Sequence, residues 1–239
     1  MSANIYCCKP IANIYKESDN THIAFQVMLG QLVVKKGETE KFYNVNVFGL
    51  NGWIDKEDVD SKAYDNSLYN TVITTMNVVA YAAPDIYSKH LPTLYCGTKI
   101  RPIEIKDNWL FFEAYSLTGW MYIWNVEKIV TCVRSFIGTR VLSGGNSYQG
   151  MDNLGLVHLN LKTHGLDVDR SYKAILEKGL VVQANALKEG DIIFLESEHA
   201  GVCDKSDGIT FIIHTSEDRV VKQPLFSLNR FVTARRVIK

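Results

Sequence analysis

The feature that most constrains this chain is a repeat in its first half. Ala12-Asn13-Ile14-Tyr15 returns as Pro84-Asp85-Ile86-Tyr87, and Leu29-Gly30 as Cys96-Gly97. Phe42-Tyr43-Asn44-Val45 aligns with Trp109-Leu110-Phe111-Phe112, and Leu50-Asn51-Gly52-Trp53-Ile54 with Leu117-Thr118-Gly119-Trp120-Met121. From Gly30 to Gly97 and from Trp53 to Trp120 the offset is the same, 67 residues. Both copies alternate apolar and polar residues in short runs broken by turn signals, the pattern of small β-barrels. A solenoid needs about three or more repeats, so two barrels are predicted, over residues 1–62 and 63–124. Trp53, Trp109, Trp120 and Trp124 are expected in barrel cores or at a seam, because large aromatics dominate core energetics. The alternative is that one or two of them line a ligand groove.

Periodicity changes at Asn125. Val126, Ile129, Val130, Val133, Phe136 and Ile137 recur at helical spacing, with Asn125 as N-cap and Gly138 as stop. A second helix is predicted from Asn153 to His164, ended by Gly165 in a left-handed cap, and a third from Ser171 to Lys178, ended by Gly179. Strands then follow over Asp191–Leu195, Ala200–Cys203, Ile209–His214, Arg219–Lys222 and Phe231–Ile238. Helices followed by antiparallel strands predict an α+β domain over residues 125–239.

Composition narrows the partners. The 239 residues carry 26 basic and 26 acidic side chains, so the basic excess of a nucleic-acid surface is missing. No apolar run reaches the length of a membrane span, and the sequence from Met1 to Lys9 lacks the pattern of a signal peptide. Five cysteines, Cys7, Cys8, Cys96, Cys132 and Cys203, are odd in number and lack metal-type pairing. Reduced thiols and a cytoplasmic location are the expectation, with no cofactor.

The stretch Gly144-Gly145-Asn146-Ser147-Tyr148-Gln149-Gly150-Met151-Asp152-Asn153-Leu154-Gly155-Leu156-Val157 reads as a glycine-rich loop entering a helix. Backbone N–H groups and the dipole at a helix start stabilise a thiolate, but no cysteine lies in this stretch. Downstream stand His199-Ala200-Gly201 and His214-Thr215. The series Gly144-Gly145, Asp152, Gly155-Leu156-Val157, His-x-Gly and a second His resembles, in order and spacing, the NlpC/P60 cell-wall cysteine peptidases. The Gly-Trp steps upstream resemble the bacterial SH3-like barrels that often precede such domains. The resemblance implies two SH3-like barrels followed by a papain-like α+β domain.

It also implies roles. Asn153 occupies the nucleophile position, His199 the base position and His214 the orienting one. Asp152 matches the acidic residue that holds a peptide's free amine, and Arg170-Ser171 match a polar segment facing the substrate cleft. The chain departs from the family at Val141 (for Tyr), Ser143 (for Trp), Asn153 (for Cys) and Leu154 (for Ser). A carboxamide nitrogen is no nucleophile, whereas Asn is among the best N-caps, so Asn153 is expected to cap the helix. Asp152 serves equally well as compensation of the helix dipole.

Ser143, Ser147 and Ser171 do not lie at the central helix start, and Cys203 sits about 13 Å along the strand from His199, too far for proton transfer. The set His199, Cys203 and His214 does not have a zinc spacing, so no metal is expected. His158 is expected on the exposed face of the second helix and His164 in its last turn. The preferred reading is a catalytically inactive homologue binding a peptidoglycan-derived peptide or a protein partner. The alternatives are an active γ-D-glutamyl-L-diamino acid endopeptidase with another nucleophile, and an adaptor acting through its barrels.

Overall fold

A computed structural model describes residues 3–123, 132–228 and 230–237. The chain divides into two compact units, Met1–Val47 with Asn51–Val130, and Phe48–Leu50 with Thr131–Lys239. The structure is mostly β-sheet with few helices.

In the first unit, strands β1 (Ala3–Cys7), β2 (Ile11–Tyr15), β3 (Ile23–Met28), β4 (Leu32–Glu38), β5 (Phe42–Val47), β6 (Leu50–Asp55) and β7 (Val59–Asp60) form one sheet in the order β3-β2-β6-β5-β4-β1-β7. Strands β8 (Thr71–Val72), β9 (Asn77–Tyr81), β10 (His90–Tyr95), β11 (Lys99–Lys106), β12 (Trp109–Ala114) and β13 (Leu117–Tyr122) form a second, in the order β10-β9-β13-β12-β11-β8. The second order matches the first strand for strand except at its end, where β7 has no counterpart. Ile23, Leu32, Phe42 and Leu50 each open a strand 67 residues before its counterpart opens at His90, Lys99, Trp109 or Leu117. From Ile23 onward the repeat in the sequence is thus a repeat of topology, whereas residues 84–87 lie in a turn and the counterpart of residues 12–15 in β2 is β9.

Each copy buries one face of its alternating strands. Ile14, Phe25, Val33, Val45 and Ile54 are buried in the first copy, and Leu94, Ile100, Phe112 and Ala114 cluster in the second. Both copies need glycine before tryptophan for one steric reason. A Cβ on Gly52 would overlap the Ile14 side chain and stand 2.8 Å from Tyr15 O, and one on Gly119 would stand 2.7 Å from Leu91 Cδ1. The neighbouring strand crosses closely there, and the next residue pairs with it, Trp53 with Tyr15 and Trp120 with Tyr81. These two tryptophans are only half-buried, because strand alternation turns them away from the core that Gly52 and Ile54 face. Trp109 is buried, against Tyr81 and Tyr122. Trp124 lies outside the described residues.

The second unit begins with a 3-10 turn, Cys132–Phe136, that buries Cys132, Val133 and Phe136. The helix predicted from Asn125 falls partly outside the described residues, and its described part is this tighter turn. A small ribbon of β14 (Asn146–Ser147) and β15 (Gly150–Met151) leads into α1 (Asn153–Thr163). Helix α1 buries Gly155 through Leu161 without a break, the signature of a helix covered on all sides. That corrects the expectation for His158, which is only 2% exposed.

Helix α2 (Tyr172–Leu176) is shorter than predicted. Strands β16 (Leu180–Val182), β17 (Ile192–Leu195), β18 (His199–Ser206), β19 (Ile209–Ser216), β20 (Arg219–Pro224) and β21 (Phe231–Arg236) form an antiparallel sheet in the order β16-β21-β17-β18-β19-β20. Helix α1 packs on β18.

Cys7, Cys8 and Cys203 form no disulfide, whereas Cys96 and Cys132 are disulfide-bonded. An odd count forbids complete pairing but not partial pairing, so the expectation of five reduced thiols does not hold. Among the described residues, no helix is long and apolar enough to cross a membrane.

Candidate functional site

The glycine-rich loop is built around Asp152. Its backbone is extended and its Oδ1 accepts from Gly155 N at 2.6 Å, which makes Asp152, not Asn153, the N-cap of α1. Both residue types cap well, so composition alone does not choose between adjacent positions. The same carboxylate accepts from Gly144 N at 2.8 Å and pairs with Arg170 Nη2 at 2.7 Å. Arg170 is 5% exposed. Ser171 caps α2 through Ala174 N, 3.1 Å from its Oγ. The three residues matched to substrate binding are therefore engaged in holding the loop and helix starts.

The glycines follow from this packing. Gly144 has φ +77, a left-handed conformation that favours glycine. A Cβ on Gly155 would overlap Gly145 O and crowd Asp152 and Arg170. Loop and first helical turn touch backbone to backbone.

With the cap on Asp152, Asn153 is the first residue of α1 and its side chain is directed elsewhere. Its Oδ1 accepts from Leu154 N at 2.7 Å. Its Nδ2 donates to Glu198 O at 3.3 Å and lies 3.3 Å from His199 Nδ1. His199 Nε2 is 2.9 Å from His214 Nδ1, and His214 Nε2 is 2.9 Å from Gln223 Oε1. Four side chains from α1, β18, β19 and β20 thus form one hydrogen-bonded row. Gln223 was not anticipated. It carries no distinguishing signal in a strand, and only the register that sets it opposite Ile212, diagonal to His214, brings it in.

Gly201 makes the row possible. A Cβ there would stand 2.6 Å from Ile213 O and 2.8 Å from His214 Cβ. The close approach is that of His214 and its strand. The turn before His199 is also unusual, since Ser197 and Glu198 both have positive φ, +61 and +54. Left-handed backbone costs a non-glycine residue roughly 1–2 kcal/mol, and this strain sits at the site, as such strain often does.

Burial depresses the His199 imidazole, with the His214 ring and Arg230 acting in the same direction. Burial also depresses His214, against the opposing bond to Gln223. Cys203 sits in an apolar cluster with Ile193, Leu195 and Ile212, and burial pushes its thiol up to about 12. It is therefore a core residue without nucleophilic character at neutral pH. A cleft of about 800 Å³ reaches His199, His214 and Gln223, with Glu196, Glu217 and Arg230 among its walls.

The fold has a counterpart among solved structures. The chain is similar over 99% of its length, and over 100% of the other, to an NlpC/P60 family protein from Bacillus cereus ATCC 10987, at 16% identity and a TM-score of 0.78. The fold is that of NlpC/P60 proteins. An NlpC/P60 endopeptidase from Photobacterium damselae subsp. piscicida matches over 97% of this chain and 65% of its own, at 10% identity and a TM-score of 0.60. No family model matches the sequence, and no curated protein matches it.

The buried imidazoles have a consequence for stability. His158 is held down to about 3 by burial, with Lys162 and Arg170 adding to it, against an ordinary value of 6.5. The unfolded chain therefore binds a proton that the folded chain refuses between these values. The contribution is complete above pH 6.5 and is lost as pH falls toward the folded value, at about 1.4 kcal/mol per unit for each such group. Thermal unfolding at pH 7.5 and pH 5 should show a lower Tm at pH 5, and His158→Gln should reduce the difference. Equal values at the two pH settings would refute this account.

Proposed function

We propose that the chain is an NlpC-type homologue that binds a peptidoglycan-derived peptide without cleaving it. On this reading each copy in the first unit is an SH3-like barrel, the second unit is a papain-like domain, and Asn153 stands where a thiol would be the nucleophile. One observation carries the proposal. The group 3.3 Å from His199 Nδ1, at the start of the central helix, is a carboxamide. Its nitrogen is delocalised and attacks no peptide carbonyl at neutral pH. Cys203 offers no substitute, being buried and protonated. The cleft beside His199 and His214 remains available for a short peptide.

The test is direct. L-Ala-γ-D-Glu-diaminopimelate is incubated with the full chain, followed by mass spectrometry for cleavage and calorimetry for binding. Binding with an intact peptide is the expected result. Cleavage that disappears in His199→Ala would overturn the proposal in favour of an active endopeptidase. No measurable binding would favour an adaptor that engages a protein partner.

A further inference from the structure

The row of four side chains has a polarity, and it is set at the Asn153 end. At the first end, Asn153 Oδ1 is committed to Leu154 N–H at 2.7 Å, so the amide turns its Nδ2 donor toward Glu198 O and His199 Nδ1. A donor facing His199 Nδ1 requires that nitrogen to carry the lone pair, which leaves the proton of the neutral ring on Nε2. That proton is given to His214 Nδ1 at 2.9 Å, which places the His214 proton on Nε2. Gln223 Oε1 accepts it at 2.9 Å. At the far end, Gln223 is placed to hold the same polarity. An amide oxygen facing His214 Nε2 demands a proton there, and the chain runs back to a bare Nδ1 on His199.

We propose that Gln223 is a positioning residue that sets the tautomer of both imidazoles, so that His199 presents the Nδ1 lone pair to whatever occupies position 153. The inference deepens the reading of this site as a nucleophile–base frame, since that nitrogen is the one a base would use. His214 is 5% exposed, so an Nε2–H without an acceptor would be left poorly solvated. Stripping a buried donor of its partner is unfavourable enough to redistribute two tautomers of similar energy. The geometry is rigid as well. Gln223 and His214 lie on one face of neighbouring strands whose register runs unbroken from Phe211↔Pro224 to Ser216↔Arg219. No slip of the hairpin substitutes another side chain for Gln223.

The test reads imidazole ¹⁵N shifts in the full chain, where protonated and bare ring nitrogens are resolved. In the native protein both His199 and His214 should show Nε2–H and bare Nδ1 at pH 7. Because Asn153 holds one end of the row, the decisive comparison uses Asn153→Ala, which releases that end. There Gln223 alone should preserve the single tautomer. Adding Gln223→Leu should abolish it, giving averaged shifts on both rings. Adding Gln223→Glu, an acceptor of the same reach, should restore it. The inference is overturned if His199 carries its proton on Nδ1 in the native protein. It is equally overturned if Gln223→Leu leaves the ring shifts of Asn153→Ala unchanged. A residue that merely filled space would alter Tm and leave these shifts alone. The readout does not depend on hydrolysis, so a failure to bind or cleave peptide would count against the proposed function and leave the tautomer result standing.

Discussion

Asn153→Cys is expected to give a site that reacts with iodoacetamide at neutral pH. The new thiol would stand at the first residue of α1, beside His199 Nδ1 and next to Leu154 N–H, which loses its Asn153 Oδ1 acceptor in the variant. Such surroundings lower a cysteine from about 8.5 into a range of about 3.5–7.5. At pH 7 the thiolate fraction then rises from a few per cent to a large share, and alkylation should accelerate by about 10-fold or more. The internal controls are already present. Cys203 is buried with its thiol pushed up, and burial also raises Cys8. Peptide mapping after brief labelling should find the label at position 153. Slow cleavage of L-Ala-γ-D-Glu-diaminopimelate should accompany it, and His199→Ala in the same background should remove about 10²–10⁴-fold of that rate. If the introduced thiol reacts no faster than Cys8, the frame is not an activating one.

The largest loss of stability is expected from Asp152→Ala. One carboxylate caps α1 through Gly155 N, holds Gly144 N and neutralises Arg170. Losing a cap alone costs about 1 kcal/mol. Leaving a buried guanidinium without its partner is worse, and breaking such a pair costs about 3–5 kcal/mol. Asp152→Asn keeps a capping oxygen but not the charge and should fall between Asp152→Ala and wild type. Urea unfolding measures all three, as a fall in midpoint at unchanged slope. If Asp152 acted only on a ligand, Asp152→Ala would unfold at the wild-type midpoint, and that result would return the residue to a binding role.

These two substitutions at adjacent positions show what was legible in the sequence and what was not. The repeat was readable because its offset recurs at several strands, and the structure reproduces it at Ile23, Leu32, Phe42 and Leu50. The start of α1 and the strands carrying His199 and His214 were readable because glycine stops and alternation are local signals. The assignment of the cap failed by one residue, since Asp and Asn both accept from a helix N–H and only the extended backbone of Asp152 decides. His158 was misplaced because a helix buried on every side has no exposed face for periodicity to reveal. The long-range partners, Gln223 on His214 and Arg170 on Asp152, depend on register and loop closure, which no spacing along the chain encodes.

One consequence follows from where the cap lies. Because Asp152 organises the helix start, position 153 inherits a prepared electrostatic environment and contributes little to maintaining it. A substitution there gives up the side-chain bonds to Leu154 N, Glu198 O and His199 but leaves the cap of α1 in place. On the proposed reading the frame is a receptacle, into which thiol, hydroxyl or carboxylate could each be fitted at position 153 and compared on the same scaffold.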